Sequence, residues 1–398
     1  MQLNQNDAQL RALLNPTTPN ILDQRQLLTQ SSSLVDHILQ TDSLTAYEQT
    51  KTQLTTLYDG LKYIFDVAEI PVELRQKQFL NKTGLAMSPQ HALTTIKDVF
   101  RVSAFIRAID QAIGDLKNIF HEPLHIIYPA CGPLAPLMMP LLAYYQSTGK
   151  YSPEDLNVTL IDVQEGAVLS LKKLFEASGL APYIREIVYG DAVDYIKKPN
   201  DKIHMVVLEA MQHGFSTEGQ MAIALHFSTL IEDQGLFLPE KISIEAVLSS
   251  GQEEFVEQWS EQDHTHAQAM KPESKEARIK LGTVLEVTTQ KMSQLEIMQI
   301  DEYTRLIRCA SLAIPHFEIG EKQHMLLFCT KITIYNDEML DEYDSGITHP
   351  LPDMNVCINF VPKNDQNEED LLVNSGDTLV FFYRMNGLPG FLVTKAQV

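Results

Sequence analysis

Residues 203–218 read IHMVVLEAMQHGFSTE, an apolar run followed by a short polar loop. The run predicts a buried strand, and Glu209 and Glu218 stand at the two ends of the loop. If the loop closes on itself, the two carboxylates can hold one cation, each with about 4 kcal/mol of attraction at ~4 Å. A guanidinium fits best, because its planar fork donates bidentately and stays charged. Alternatively, Glu209 only caps the strand and Glu218 begins the next helix.

Composition narrows the kinds of partner. The chain has 398 residues, 44% of them hydrophobic, which allows conventional cores in roughly two or three domains. Its net charge of −21 repels nucleic acid and anionic membranes and attracts cations. The four cysteines are isolated, so we expect no disulfide framework and no metal site. With no secretory signal and no apolar run of ~20 residues, the expected location is cytoplasmic.

Short apolar runs alternate with helical stretches on both sides of this segment. They lie at residues 124–128, 158–162, 186–189, 203–208 and 236–239. The alternation predicts an α/β domain with a doubly wound parallel sheet, residues 86–240. Residues 1–85 show apolar spacings of three and four and are predicted to form an N-terminal helical domain. In residues 241–398, period-two runs such as 378–383 predict an antiparallel sandwich or barrel.

Acidic side chains at the predicted strand ends indicate a cofactor site, because ligands bind outside the carboxyl ends of parallel strands. Asp162 can accept both ribose hydroxyls there, or else it only caps the next helix. Asp191 can meet an adenine amine. The first strand ends at Tyr128-Pro129-Ala130-Cys131-Gly132, with one glycine where a diphosphate cradle needs three. We therefore expect S-adenosylmethionine, which has no phosphate, with Tyr128, Ala130 and Gly132 as its contacts in this turn.

These features resemble the protein arginine methyltransferases, a family with a Rossmann-like S-adenosylmethionine-binding domain and a C-terminal β-barrel. The resemblance covers roughly residues 90–395. The family's Asp-x-x-Arg-x-x-x-Tyr helix is matched by residues 98–105, with phenylalanine for the final tyrosine. That match implies that Arg101 holds the carboxylate of the cofactor. The family's two catalytic glutamates enclose eight residues, as Glu209 and Glu218 do here.

The resemblance implies direct in-line transfer of a methyl group to a guanidino nitrogen. It also implies a homodimer, formed through a helical arm near residues 252–280. The family's Thr-His-Trp loop is replaced by Thr348-His349-Pro350, so His349 is the candidate for assisting proton departure. The missing tryptophan leaves open whether the acceptor is free arginine or a basic protein.

Two further functions remain open at this point. The turn Gly132-Pro133-Leu134 is similar to that of nicotianamine synthase, which implies methyl or aminobutyryl transfer to a small amine. A non-catalytic S-adenosylmethionine-binding scaffold would instead use the N-terminal helices to engage a partner. The spacing of Glu209 and Glu218 favours the guanidino methyltransferase over both.

Overall fold

The computed structural model describes residues 24–257, 272–317, 323–359 and 369–396. The chain begins there with helices α1 (Gln24–Gln40), α2 (Tyr47–Val67) and α3 (Val72–Gln76) and a hairpin of strands β1 (Phe79–Leu80) and β2 (Leu85–Ala86). In α2, Leu54, Leu57 and Leu61 share one buried face because their spacing matches the helical period. Both α1 and α2 pack on helices of the next domain and share its core. Across these ranges, no helix is long and apolar enough to cross a membrane.

The middle of the chain forms a parallel sheet covered by helices. Its elements are α4 (Pro89–Ala92), a 3-10 turn (Leu93–Lys97), α5 (Val99–Ile119), β3 (Leu124–Pro129), α6 (Met139–Thr148), β4 (Leu156–Asp162), α7 (Glu165–Ser178), β5 (Ile184–Tyr189), β6 (Met205–Val207), α8 (Gln220–Ser228) and β7 (Leu236–Leu238). The strand order is β5-β4-β3-β6-β7, all parallel. Every residue of β3 is buried, because helices cover both faces of the sheet. The predicted doubly wound, Rossmann-like sheet is confirmed, and its order reverses between β3 and β6.

The C-terminal region consists of two sheets. Its elements are β8 (Lys241–Ser250), a π-helical turn (Glu253–Glu257), α9 (Pro272–Glu276), β9 (Ile279–Val287), α10 (Thr289–Met292), β10 (Ile297–Gln299), β11 (Arg305–Ala313), β12 (His324–Tyr335), β13 (Glu338–Leu340), β14 (Leu351–Ile358), β15 (Leu371–Val373), β16 (Thr378–Arg384) and β17 (Gly390–Lys395). One sheet has the order β15-β14-β12-β8-β9, with β13 beside β12, and the other has the order β10-β11-β16-β17.

The two sheets face each other as a flattened barrel. All strand pairs are antiparallel except β14 with β15. Strand β9 runs close to β11, and β15 runs close to β17, so the sheets approach at both edges. Phe328 links them, because its ring lies 4.6 Å from Phe391 and 6.0 Å from Phe381. The predicted antiparallel C-terminal region is confirmed. Residues 258–271, about half of the helical arm predicted near residues 252–280, lie outside the described ranges.

Helix α5 joins the parallel sheet to the barrel along its whole length. At its start, Asp98 accepts a hydrogen bond from Ser345 at 2.6 Å. Two turns along, Arg107 Nε donates to Glu338 Oε1 at 2.7 Å. Near its end, Asp115 accepts from the Tyr335 hydroxyl at 2.8 Å. These three polar contacts attach the barrel to α5 from the start of the helix to near its end.

Candidate active site

A cavity of about 490 Å³ opens where the parallel strands end. Eight of the nine residues selected from the sequence line it, namely Arg101, Tyr128, Ala130, Gly132, Asp162, Asp191, Glu209 and Glu218. The ninth, His349, is exposed at the rim, although its neighbours Gly346 and Ile347 do belong to the lining. The fold therefore brings the predicted cofactor residues and both glutamates into one space.

The loop between the two glutamates closes on itself. Gln212 and Ser216 exchange backbone hydrogen bonds, with N–O distances of 3.1 and 3.3 Å. Gly214 has φ of +64°, and a Cβ there would lie 2.5 Å from Leu351, so only glycine fits. Phe215 is buried, with its ring 5.1 Å from that of Tyr383 in the barrel. The closed loop holds both glutamates against the same cavity.

Glu209 has a cationic partner. The Arg101 Nη1 atom donates to Glu209 Oε2 at 3.1 Å, and Arg101 Nη2 donates to the carbonyl of Thr95 at 2.7 Å. The two side chains are only 8% and 12% exposed. Burial raises the pKa of Glu209, and the charge of Arg101 opposes that rise. Arg101 is itself fixed by Asp98, which caps α5 by accepting from the Arg101 amide at 3.2 Å.

Glu218 has a neutral partner instead. Its Oε1 accepts from Gln212 Nε2 at 3.2 Å, and no lysine or arginine in the described ranges forms an ion pair with it. Burial first, and then the charge of Glu209, raise the pKa of Glu218 to about 7. A partly buried carboxylate that lacks a counter-ion and faces a cavity favours the binding of a cation.

The other end of the cavity carries the two strand-end aspartates. Asp162 is 6% exposed and accepts from the amides of Gly132 and Gln164, both at 2.8 Å. Burial raises its pKa to about 6, and these two amides oppose the rise. Asp191 accepts from the side-chain amide of Asn81 at 3.1 Å. Asp191 also caps a short 3-10 turn (Ala192–Asp194).

A hairpin formed by β1 and β2 also lines the cavity, and no pattern in the sequence predicted it. Gln164 Nε2 holds it in place by donating to three carbonyls, those of Lys77, Ala86 and Met87, at 2.8, 3.1 and 2.9 Å. Leu85 donates its amide to the carbonyl of Thr217 at 2.9 Å. A Cβ on Gly84 would lie 2.8 Å from the carbonyl carbon of Glu218, so the two backbones touch. The hairpin thus contacts both ends of the site.

No family model matches the sequence, and none of the curated proteins matches it. Among solved structures, a chain of the Trypanosoma brucei PRMT1 enzyme-prozyme heterotetrameric complex with AdoHcy is similar to this one, with a TM-score of 0.41 and 12% sequence identity. The likeness covers 77% of this chain and 98% of that chain. What the cavity can bind follows from its own residues.

The charges of the lining favour cationic ligands. Four carboxylates line the cavity, those of Asp162, Asp191, Glu209 and Glu218, and Arg101 is the one lysine or arginine among the described lining residues. At the rim, the His349 ring lies 5.3 Å from that of Tyr343. Partial burial, and then the neighbouring His213, lower the pKa of His349, which keeps it neutral near pH 7. No group of three or more metal-ligating side chains occurs in the described ranges.

Proposed function

We propose that this protein is an S-adenosylmethionine-dependent N-methyltransferase whose acceptor is a guanidino group. The observation that carries the proposal is the state of Glu218, a partly buried carboxylate without a counter-ion in the described ranges, held by a closed loop beside the cavity that Glu209 also lines. A site of this kind gains most from a cation with several donors in one plane, and guanidinium has that shape.

The residues at the other end of the cavity fit S-adenosylmethionine. Asp162 is oriented by two backbone amides and keeps lone pairs that can accept the ribose hydroxyls. A Cβ on Gly190 would meet open space, and at Gly132 the nearest atom would be 4.0 Å away, so the backbone leaves room for the ligand. Asp191 would receive the adenine amine. When bound, this cofactor supplies an electrophilic methyl group on a positively charged sulfur.

The glutamate pair, Glu209 and Glu218, would bind and orient the acceptor. Glu218 becomes fully ionised once a guanidinium lies against it, because a nearby positive charge lowers the pKa of a carboxylate. The two carboxylates then draw the guanidinium charge toward two of its nitrogens and align the third for in-line attack. Orientation and charge placement of this kind account for most of the expected rate enhancement.

Two residues have supporting roles in this proposal. Arg101 stabilises the ionised form of Glu209 through their 3.1 Å contact, and its position in the lining also suits the cofactor carboxylate. His349 is neutral near pH 7 and sits at the rim, where it can accept the proton released from the methylated nitrogen.

The homodimer also belongs to the proposal. Its support lies in Phe255 and Val256, 43% and 58% exposed at the start of the predicted arm. Two apolar side chains on a surface turn are consistent with contact to a second copy. Light scattering after size-exclusion chromatography tests this, and a monomer at micromolar concentration would contradict it.

The test of function is to incubate the purified protein with methyl-labelled S-adenosylmethionine and to follow the label by mass spectrometry. Free arginine, an arginine-rich peptide and a set of polyamines are offered separately. Label on arginine or on the peptide supports the proposal and identifies the acceptor. Binding of the cofactor without label on either guanidino substrate would contradict it, and label on polyamines would identify an amine methyltransferase.

A further inference from the structure

The partner of Glu218 within its own loop suggests a further functional residue. Gln212 lies three positions after Glu209, where its side-chain amide reaches Glu218 Oε1 at 3.2 Å. Its backbone is fixed by the paired hydrogen bonds to Ser216. The side chain is therefore aimed at Glu218 by a rigid turn, and it also lines the cavity.

We propose that Gln212 positions Glu218, because its amide fixes one carboxylate oxygen and stabilises the charged form of that carboxylate. This inference rests on the proposed function, in which Glu218 must be ionised to bind a guanidinium. A neutral amide suits the task better than a basic side chain would. It donates to the carboxylate without supplying the positive charge that the acceptor is meant to bring.

The surroundings of Glu218 explain why it needs such a donor. The charged groups that act on it from neighbouring elements are Glu209 after β6, Arg101 on α5 and Asp162 at the end of β4. Two of the three are acidic and oppose its ionisation, and Arg101 is already bonded to Glu209.

The remaining neighbours do not replace the amide. Lys82 of the hairpin is paired with Asp194 at 2.6 Å. His213 and His349 are exposed at the rim. Gln212 is thus the donor that the structure provides at the carboxylate itself.

The test compares the parent protein with Gln212→Met, which keeps the length of the side chain but lacks the donor. Gln146→Met, on an exposed position of α6, is the control. We expect kcat/KM for the guanidino acceptor to fall about fivefold at pH 7 and to recover to within about twofold at pH 9.5, because Glu218 is ionised there in both proteins. The acidic limb of the pH–rate profile should move up by about one pH unit.

A second measurement does not need turnover. The carboxyl band that disappears in Glu218→Gln is titrated by infrared spectroscopy in the parent protein and in Gln212→Met. A higher midpoint in Gln212→Met supports the inference. An unchanged midpoint for the Glu218 carboxyl group overturns the inference. If the rate of Gln212→Met also falls equally at every pH, the role of Gln212 is purely structural. If the midpoint is higher in Gln212→Met but no guanidino compound is methylated, Gln212 still positions Glu218, and the proposed function is rejected.

Discussion

Two clusters in this molecule have the same composition, one arginine and two glutamates, and both are largely buried. The cavity cluster comprises Arg101, Glu209 and Glu218, and the barrel cluster comprises Arg278, Glu254 and Glu342. In the barrel cluster the arginine reaches both carboxylates, with Arg278 Nε donating to Glu254 Oε2 at 2.9 Å and Nη1 bonded to Glu342. The Tyr343 hydroxyl adds a further bond to Glu254. In the cavity cluster the arginine reaches only Glu209.

This difference separates a structural cluster from a candidate functional one. The barrel cluster is closed, with side-chain exposures of 1% to 4% and each carboxylate bonded to the guanidinium. The cavity cluster leaves one carboxylate with an amide partner and a space beside it. Burying a carboxylate without a counter-ion costs stability, and a ligand that supplies the missing charge recovers that cost.

The largest effect should come from neutralising Glu218, the carboxylate of the cavity cluster that forms no ion pair in the described ranges. We expect Glu218→Gln to lower kcat by about 10³-fold, because the acceptor loses a charged partner in the transition state. Glu209→Gln should act in the same direction. Cofactor affinity, measured by calorimetry, should stay within about threefold in both variants, since neither is assigned to the cofactor. Glu176→Gln, on an exposed face of α7, is the matched control. If either variant turns over as fast as the parent, the cavity cluster cannot be distinguished from the barrel cluster as the functional one.

The next largest effect should come from removing Arg278, the arginine of the barrel cluster. Arg278→Met leaves Glu254 and Glu342 buried without a cation, which should lower the free energy of unfolding by about 3 kcal/mol. Urea unfolding followed by circular dichroism measures this change. Arg308→Met, on an exposed position of β11, should alter it by less than about 0.5 kcal/mol. Similar midpoints for the two variants would show that the barrel cluster contributes little to stability.

Glu218 should also make the free energy of unfolding depend on pH. The folded protein retains the Glu218 proton up to pH about 7, whereas the usual pKa is 4.5, so stability falls as the pH rises between these values. Glu218→Gln should therefore be more stable than the parent by about 2 kcal/mol at pH 8 and equal to it at pH 4. Denaturant unfolding at the two pH values measures the difference. If Glu218→Gln is more stable than the parent by the same amount at pH 4 and at pH 8, the gain comes from packing and not from the ionisation of Glu218.

The smallest effect concerns a single hydroxyl of the closed cluster. Tyr343→Phe removes one donor from Glu254 and leaves Arg278 in place, so we expect a loss of about 1 kcal/mol in the free energy of unfolding. Tyr303→Phe, whose side chain is 76% exposed, is the control. If Tyr343→Phe matches that control in urea unfolding, the hydroxyl has no net effect on stability.

The sequence predicts the cavity cluster better than the barrel cluster for a physical reason. Glu209 and Glu218 lie on one loop, directly after an apolar run, so local pattern and strand alternation already place both at a sheet edge. Glu254, Arg278 and Glu342 are 24 and 64 residues apart and meet only through the barrel. No periodicity in the sequence predicts a contact between residues so far apart in the chain.

The same limit applies within the candidate site. The hairpin of β1 and β2 has strands of two residues each, too short to show a period of two. Gln164 reads as an ordinary polar residue at a helix start until the chain near residues 77–87 folds over it. Gln212 was visible as part of the loop, but its contact with Glu218 depends on the loop closing. Prediction succeeded where chemistry and local pattern coincide and failed where long-range packing creates the contact.

Helix α5 also limits how the two halves of the molecule can move. Its first and last contacts with the barrel, at Asp98 and Asp115, lie 17 positions apart, or about 25 Å along the helix, and Arg107 makes a third between them. Hinge bending between the sheet and the barrel would have to break all three together. Access to the cavity should therefore depend on local rearrangement of the hairpin and of the turn near Ile347, on the time scale of loop motion, while the barrel and the sheet move as one rigid body.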